Sequence, residues 1–570
     1  MDGRATEARP DPPNPPTSPV AALSGREIIV ISAVAIVLSF AATWPLILNL
    51  TDHFPAFGYG DPYITSWFVA WDGYALIHQP LHFFEANTFW PLHDSLAMSE
   101  ATLGYAPIAA IGSGAIAAVV RYNLLFIFTF ALAFVGAYLL ARELKVSPVG
   151  AAVGAAIFGF APFRLDQATH LQVISSGGIP LALFLLLRGY KGGRWKTVLA
   201  GWLVATWQLS IAFGLGVPMA YLLGSLGLIA LFVWLARGRP ALPTAMVRVT
   251  IVGVMIFVAW GLLQAAPYLR LTDEFPQGRR TEAEAAYYSP PLRGLLAAPV
   301  GNRIWGPLSE SFRSTIERPD EKSMFPGVLP LVFAIAGLGA AGWSVWLRFG
   351  LGASVVTCTI LSLGYGVPGG RWLFGALFRY FPGWQAIRTP GRLITFTTLG
   401  LALLGSIGAE RIRLWLVPKF RSPRAGILAS TAVALLALAT VVEGTGNIPQ
   451  TKVLDVPPGQ VGVPGPQLHL PSNEFVDRYY MFWSTEGFPD IANGEGAFDP
   501  PFLEELNAAT ANFPDQASID FLRSRGITSV VYHPGFAAGT PWEQVPTRSI
   551  EGLPVTRTDE GGVIVYEILP

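Results

Sequence analysis

One segment near the N-terminus of the chain, Thr51 to Glu100, gathers most of the side chains that could perform acid–base chemistry. Four of the seven histidines of the chain lie in it, together with a set of carboxylates: Asp52, Asp61, Asp72, Glu85, Asp94 and Glu100. A carboxylate can act as a general base or hold a divalent cation. The four histidines, His53, His78, His82 and His93, lack any i,i+4 metal motif that also carries a carboxylate, so the pattern does not favour a zinc site.

Asp61 stands out because Pro62 and the apolar run Tyr63–Ile77 follow it directly. A helix that begins at Pro62 would place Asp61 at its N-cap, so Asp61 is either a capping residue or a catalytic carboxylate at the membrane surface. Aromatic residues recur every three to four positions along that run, which predicts an interfacial helix lying along the membrane. Glu100 has a comparable alternative, a charge favoured by the dipole at a helix N-terminus.

Composition indicates a membrane protein. Of 570 residues, 52% are hydrophobic and 13% are charged, with a mean hydropathy of +0.45, whereas soluble domains carry about 25% charged residues. Runs long enough to cross a bilayer predict about eleven spans, namely 28–50, 122–141, 148–164, 171–188, 197–213, 217–236, 249–266, 326–343, 349–365, 391–409 and 426–443. Zero net charge gives no electrostatic reason to expect nucleic acid as a partner, and the single cysteine, Cys358, excludes an internal disulfide.

Basic residues indicate the orientation of these spans. No lysine or arginine occurs from Glu27 to Val120, and the basic clusters fall on one side of the membrane only if the apolar stretch Leu103–Val120 does not cross. We therefore expect Leu103–Val120 to form a re-entrant or juxtamembrane helix. The N-terminus is expected in the cytoplasm and the C-terminus outside, in a multi-pass protein of the cytoplasmic (inner) membrane that contacts membrane lipids.

The chain divides into three parts by composition. Residues 1–26, with a proline-rich stretch, predict a disordered cytoplasmic tail, and 27–443 form an α-helical membrane domain with outer loops at 51–121 and 267–325. Residues 444–570 are polar and lack a spanning run. There, Ala517–His533 is typical of a helix, a glycine turn and a buried strand, and Gly562–Leu569 of a final strand, so this part is expected to be a small extracytoplasmic α/β domain.

Five motifs in this order resemble the GT-C superfamily of membrane glycosyltransferases, and within it a bacterial subfamily that glycosylates lipoteichoic acid. They are GDPYITSWFVAW (Gly60–Trp71), FWPLHDSLAMSE (Phe89–Glu100), FGFAPFRLDQATHLQ (Phe158–Gln172), AIRTPGRL (Ala386–Leu393) and IANGEGAF (Ile491–Phe498). The resemblance implies a GT-C fold and transfer of a sugar from a polyprenyl-phosphate carrier to an envelope glycan, lipid or protein, by an inverting reaction. The chain departs from the protein-mannosyltransferase pattern because its first loop has no adjacent acidic pair.

The resemblance also implies roles for particular residues. Asp61 would be the general base or would hold a divalent cation, the one cofactor considered, with Asp94 and Glu100 as the next catalytic candidates. Arg388 and Arg392, four residues apart and thus on one helical face, would bind the lipid phosphate; the alternative is interfacial snorkelling.

Further candidates for substrate binding lie in two outer loops. Asp166 and His170 would line the same cavity as Asp61, unless they are only polar residues of a tight hairpin. Arg279 and Arg280, with two tyrosines after them, would meet sugar or phosphate, unless the loop is simply a mobile surface.

Two other classes of function stay open at this point. One is a transporter or flippase for lipid-linked glycans, which usually carries ionisable residues at the bilayer midplane and inverted repeats. The other is a non-catalytic membrane protein of envelope assembly. The spans carry almost no charge at mid-membrane and the polar candidates cluster in outer loops, which favours an enzyme working at the interface.

Overall fold

The computed structural model describes residues 22–55 and 60–570. The proline-rich stretch Arg9–Val20 of the predicted tail lies outside the described residues. The helices up to residue 444 are α1 (Gly25–Ala42), α2 (Pro62–His78), α3 (Ala106–Ala109), α4 (Gly114–Arg142), α5 (Pro148–Gly159), α6 (Leu171–Ile174), α7 (Gly178–Gly192), α8 (Trp195–Ile211), α9 (Phe213–Ala236), α10 (Thr244–Glu274), α11 (Glu282–Tyr287), α12 (Trp305–Leu308), α13 (Glu310–Arg313), α14 (Pro319–Lys322), α15 (Val328–Leu338), α16 (Val345–Leu363), α17 (Pro368–Tyr380), α18 (Ile394–Leu416) and α19 (Ala425–Gly444).

The protein is a multi-pass membrane protein. Within the described residues, eight helical segments are long and apolar enough to cross a bilayer: α1, α4, α6 with α7, α9, α10, α16, α18 and α19. Shorter helices, α5, α8 and α15, occupy the three other predicted spans. The total of about eleven crossings stays a prediction, since these three are shorter than the roughly 20 residues that a bilayer needs.

Two predicted features of the first loop are wrong in detail. The first span ends at Ala42, not at residue 50, because Pro45 disfavours helix in the residue before it. The stretch Leu103–Val120 does not form a helix of its own. It breaks into a single 3-10 turn, the four-residue α3 and, from Gly114 onward, the first turns of α4.

Contacts at the two ends of α4 show which parts of the chain lie at each end of the helix bundle. The start of α1 meets the end of α4, where the Glu27 carboxylate accepts from the Arg142 guanidinium at 2.6 Å. At the opposite end of α4, the Ala115 amide donates to Glu486 of the C-terminal part at 2.7 Å. The C-terminal part and the loop after α1 therefore lie at one end of the bundle. Basic residues Arg142 and Arg188 lie at the other end, where Arg188 pairs with Glu143, the residue that follows Arg142 in the chain.

The helix α2 is buried and does not lie on the membrane surface as predicted. Trp67, Phe68 and Trp71 are all less than 10% exposed. The Tyr63 ring packs edge-on against Phe482, and Trp71 packs in the same way against Phe488. The aromatic stripe therefore binds the C-terminal part to the bundle, and burial of such rings is a large source of stability.

The C-terminal part is a four-stranded mixed sheet with helices against it. Its strands follow a two-stranded ribbon that pairs β1 (His53–Pro55) of the first loop with β2 (Gln450–Lys452) in antiparallel register. The sheet order is β3-β4-β6-β5, with β3 parallel to β4 and the other pairs antiparallel. Its elements are β3 (Gln467–Leu470), α20 (Asp477–Trp483), α21 (Pro501–Thr510), α22 (Gln516–Ser524), β4 (Ser529–Tyr532), β5 (Val555–Glu560) and β6 (Val563–Ile568).

The predicted elements of this C-terminal part are present. The helix α22, a turn at Gly526 with φ of +72° and the buried β4 follow in the predicted order, and β6 is the final strand. A positive φ is sterically open to glycine, which explains the residue at that turn. The domain limits at 27, 443 and 444 stay predictions.

Glycines allow α15 and α18 to approach closely inside the bundle. A β-carbon on Gly408 of α18 would overlap the carbonyl oxygen of Phe333 in α15, and one on Gly337 of α15 would overlap the carbonyl oxygen of Leu404. Small residues at such crossings let helices pack backbone to backbone in membranes. This contact fixes α18, whose N-terminal end leads into the candidate site.

We predict that Gly408→Ala lowers the thermal unfolding temperature of the detergent-solubilised protein. The added methyl must push α15 and α18 apart, at a cost of about 1–3 kcal/mol. Gly227→Ala is the matched control, because Gly227 also lies inside a long helix but has nothing within 4 Å of the added carbon. Equal melting temperatures for the two variants would contradict the proposed packing.

Candidate active site

Asp61 lies at the start of α2 but does not cap it. Its backbone is helical, with φ of −48° and ψ of −26°, and its side chain makes no capping hydrogen bond. The carboxylate instead pairs with His170, with 2.9 Å between Oδ2 and Nε2. The capping interpretation is thus wrong, and the side chain is turned toward a cluster of charges. Forty-four per cent of its surface stays accessible, so a substrate can reach it.

His170 connects two carboxylates. The same Nε2 atom that meets Asp61 lies 3.7 Å from Oε1 of Glu321, and the histidine side chain is 16% exposed. It comes from the short segment that joins α5 to α6, directly before Leu171. The structure therefore places His170 beside Asp61, whereas a shared substrate cavity stays a prediction.

Glu321 is the centre of the site, and sequence reasoning missed it. Its side chain is 4% exposed and lies in α14. It accepts from Arg392 Nη2 at 2.8 Å and from Gln167 Nε2 at 3.1 Å. Burial favours its protonated form, but the charges of Arg392 and His170 outweigh burial and hold the pKa of Glu321 at about 2. Glu321 is therefore a fixed negative charge.

Arg392 comes from the segment that leads into α18. Pro390 starts a 3-10 turn, Pro390–Leu393, and the α-helix begins only at Ile394. Arg388 therefore lies before any helix, so the prediction of one helical face for Arg388 and Arg392 is wrong. The reason is that the backbone N–H missing from Pro390 and its fixed φ favour a turn there. Arg392 is also held by Glu321, so its guanidinium is already engaged.

The same surroundings keep Asp61 ionised. Burial alone would raise its pKa, but the hydrogen bond and charge of His170 and the charges of Arg478 and Arg392 hold the pKa of Asp61 below its usual range. An aspartate in this state accepts a proton at neutral pH. We call the chain of contacts Arg392–Glu321–His170–Asp61 the charge ladder.

Glu100 lies beside the ladder. Its Oε1 accepts from the Gly214 amide at 2.7 Å, at the start of α9. Burial raises its pKa, although the Gly214 amide and the Arg392 charge work in the opposite direction. This contact is consistent with the alternative in which Glu100 is a charge favoured by a helix dipole. The helix concerned is α9, however, and not the stretch that follows Glu100 in sequence.

The C-terminal part completes the cluster. Arg478 in α20 donates to Glu495 at 2.8 Å, and the Arg478 charge helps to lower the pKa of Asp61. Burial first, and the Asp61 charge in addition, raise the pKa of Glu495 to about 7 against the effect of Arg478. Each of the five motifs thus contributes one ionisable side chain to a single place: Asp61, Glu100, His170, Arg392 and Glu495.

Three predicted residues lie neither in this cluster nor in the group of cations described below. Asp94 has a left-handed backbone, with φ of 52°, and forms two hydrogen bonds with Arg270, at 2.7 and 2.8 Å. Arg279 pairs with Asp273 on the surface. Asp166 is turned toward the α13–α14 region, where burial and the negative charge of Asp320 raise its pKa against the opposite effect of a hydrogen bond with Ser323. The structure does not bring these residues to Asp61, and their predicted roles stay predictions.

A second group of cations lies next to the ladder, and we call it the basic–aromatic cluster. Its members come from α11, α14 and the segments beside them: Arg280, Tyr287, Tyr288, Arg318, Lys322 and Arg388. The Arg388 guanidinium stacks 4.9 Å from the Tyr288 ring centre and 4.0 Å from Glu284. Lys322 lies over Tyr287 and is the neighbour of Glu321 in sequence. Positive charge thus lies beside the ladder.

The donors near Asp61 do not fit a divalent cation. Among residues 22–55 and 60–570, no three His, Cys, Asp or Glu side chains converge as a metal site would require. In the ladder, one histidine nitrogen is shared by Asp61 and Glu321, and Arg392 takes the second carboxylate. Arg392 and Gln167 donate to Glu321, so the oxygens of this carboxylate are already engaged.

No protein-family model matches the sequence, and no curated protein matches it. Solved structures with overall similarity include the mycobacterial arabinofuranosyltransferase AftD, with 16% identity and a TM-score of 0.48 over 97% of this chain and 42% of AftD. Others are the Archaeoglobus fulgidus oligosaccharyltransferase AglB with an inhibitory peptide and dolichol-phosphate (13%, 0.40, 95% and 74%) and ArnT of Cupriavidus metallidurans bound to undecaprenyl phosphate (12%, 0.36, 95% and 98%).

TM-scores below 0.5 do not by themselves establish a shared fold, and this chain spans less than half the length of AftD. The activity of the neighbours is therefore not transferred to this chain by likeness. The geometry of the charge ladder carries the functional proposal.

We predict that Glu321→Gln destabilises the protein at pH 7, because it leaves Arg392 buried without its counter-charge, a change that costs roughly 3–5 kcal/mol in buried pairs. The pKa of Glu321 lies below its usual range, so its stabilising charge is present above about pH 4.5 and is lost as the pH falls toward 2. The gap in melting temperature between wild type and variant should therefore shrink on acidification.

The matched control is Asp94→Asn, which breaks a carboxylate–arginine pair whose arginine is 62% exposed. Pairs of that kind contribute about 0–1 kcal/mol. Thermal unfolding in detergent at pH 7 and at about pH 3 measures both variants. Equal destabilisation by Asp94→Asn and Glu321→Gln at pH 7 would contradict the central place of Glu321.

Proposed function

We propose that the protein is a GT-C-type membrane glycosyltransferase that moves a sugar from a polyprenyl-phosphate carrier to an envelope acceptor. The observation that carries this proposal is an accessible, ionised carboxylate, Asp61, fixed by a buried charge ladder beside a group of arginines. Such a transfer requires a general base next to a surface that binds phosphate.

In the proposed step, a hydroxyl oxygen of the acceptor attacks the anomeric carbon of the sugar. The bond between that carbon and the phosphate oxygen breaks, and its electron pair leaves with the lipid phosphate. The hydroxyl proton passes to Asp61. One displacement of this kind inverts the anomeric centre and needs one base, in agreement with the single open carboxylate of the ladder.

The basic–aromatic cluster is suited to the lipid phosphate. Arg388 is 36% exposed and meets its nearest carboxylate, Glu284, only at 4.0 Å, which leaves donors available. A guanidinium binds phosphate oxygens through paired hydrogen bonds and stabilises the charge that develops as the bond breaks. Arg392, which Glu321 holds, acts instead by fixing the ladder and by its positive charge near Asp61.

The site lies at the same end of the bundle as the C-terminal part, opposite the basic residues around Arg142 and Arg188. By the positive-inside rule the basic end faces the cytoplasm, so transfer takes place on the outer face of the cytoplasmic membrane. A polyprenyl-phosphate sugar and an envelope glycan, lipid or protein are the proposed substrates. A flippase would move the same lipid without cleaving it, so release of the free polyprenyl phosphate by the purified protein distinguishes the two functions.

We predict that Asp61→Asn abolishes sugar transfer while the protein still inserts into the membrane. The amide keeps the size of the side chain but accepts no proton. The assay is a gene-deletion strain, complemented with wild type or variant, whose envelope glycans and lipid-linked sugars are analysed by mass spectrometry. Wild type should restore the missing glycan, and Asp61→Asn should leave the lipid-linked donor accumulated.

Asp52→Asn is the control, since Asp52 lies in the same loop, 53% exposed, and pairs with His53 outside the ladder. It should complement as wild type does. Full complementation by Asp61→Asn would remove Asp61 from the mechanism. A wild-type protein that transfers sugar from a soluble nucleotide sugar, and not from the lipid carrier, would overturn the proposed donor.

A further inference from the structure

Two charged residues of the C-terminal part, Arg478 and Glu495, lie beside Asp61 and have no part in the step described above. Arg478 donates to Oε1 of Glu495 at 2.8 Å, and both side chains are less than 20% exposed. The backbone amide of Glu495 meets the Met481 sulfur, and the Ala497 amide donates to the Met98 carbonyl at 2.6 Å. The loop that carries Glu495 is therefore docked on the same segment that carries Glu100.

The second oxygen of Glu495 is without a protein partner. Among the described residues, no donor reaches the buried Oε2 atom. A carboxylate oxygen removed from water needs a hydrogen bond, and each such atom in a folded protein calls for an explanation. Asp61 is near enough for its charge to act on Glu495, as is Glu474. The carboxylate of Glu495 thus lies within range of the charge of the proposed base.

We propose that Glu495 binds a hydroxyl of the acceptor next to the one that Asp61 deprotonates, and that Arg478 is the positioning residue for both carboxylates. This rests on the proposed function and names the acceptor as a compound with neighbouring hydroxyl groups, such as a sugar. Two carboxylates, one from the membrane domain and one from the C-terminal part, then hold the acceptor between them. The C-terminal part completes the active site.

The contacts of Arg478 and Glu495 fit these two proposed roles. Arg478 satisfies one oxygen of Glu495, which fixes the carboxylate and directs the other oxygen to the acceptor. The charges that act on Asp61 come from His170, Arg478 and Arg392, from three different elements. Loss of Arg478 would therefore disturb Asp61 without removing the ladder.

The test uses the lipid-linked sugar that accumulates in the deletion strain as donor and membranes of that strain as the source of acceptor. For Glu495→Gln we expect that at least tenfold more acceptor membrane is needed for half-maximal rate, with a smaller change in the maximal rate. For Arg478→Gln we expect the acid limb of the pH–rate profile to move to higher pH, because a cation that lowers the pKa of Asp61 is gone. A residue with only a structural role would not move that limb.

The control is the exposed pair Arg525–Glu505 of the same C-terminal part, 2.7 Å apart. Arg525→Gln and Glu505→Gln should leave both the acceptor dependence and the pH profile unchanged. If Arg478→Gln does not fold, Arg478→Lys keeps the charge and should restore the wild-type limb position while weakening the acceptor dependence. Wild-type kinetics in Glu495→Gln and Arg478 variants, with Asp61→Asn inactive, would overturn this inference and leave the proposed function standing. No donor consumption by the wild type would overturn both.

Discussion

Arg392, Glu321, His170 and Asp61 come from four separate parts of the chain and hold one another through charge. Glu321 is the link, because it is the buried partner of Arg392 and the second neighbour of His170. Burying a carboxylate is costly unless its partners are fixed. The segments that carry those partners therefore have to meet in one arrangement, and the ordered state of the ladder depends on the packing of α2, α14 and α18 around it.

Two sets of packing contacts hold the segments of the charge ladder in place. Glycine contacts between α15 and α18 set the position of the segment that carries Arg392. The aromatic stripe of α2, which holds Asp61 at its start, packs against the C-terminal part through Tyr63 and Trp71. The sheet and the bundle are thus joined at the place where the charges meet, and the C-terminal part contributes Arg478 and Glu495 to it.

The sequence predicted the places of the helices and most of the site, but not the contacts that join them. Spans follow from hydropathy alone, and Asp61, His170 and Arg392 were each singled out from motifs. Glu321 was not, because it lies in a polar stretch, ERPDEKS (Glu317–Ser323), where an acidic residue is typically solvated. Only the tertiary contact with Arg392, 71 residues away in sequence, makes it a buried charge.

Other errors have the same origin. From the sequence, a helix cap explained Asp61 as well as a catalytic role did. Local spacing does not show that the Asp61 side chain pairs with a histidine over a hundred positions away. The aromatic stripe of α2 fits a membrane surface or a protein partner equally, and the C-terminal part covers it. Asp94 was preferred for its place in a motif, yet Arg270 binds it. Periodicity reports local structure, whereas charge pairing between distant segments is set by the fold.

The most direct test of the central claim is a cryo-electron microscopy structure of Asp61→Asn with the accumulated lipid-linked sugar bound. The charge ladder and the basic–aromatic cluster predict that the phosphate lies against Arg388 and that the anomeric carbon faces the residue at position 61. The space next to the bound sugar that receives the acceptor should open toward Glu495. A lipid phosphate bound away from Arg388, with residue 61 facing no part of the sugar, would contradict the account.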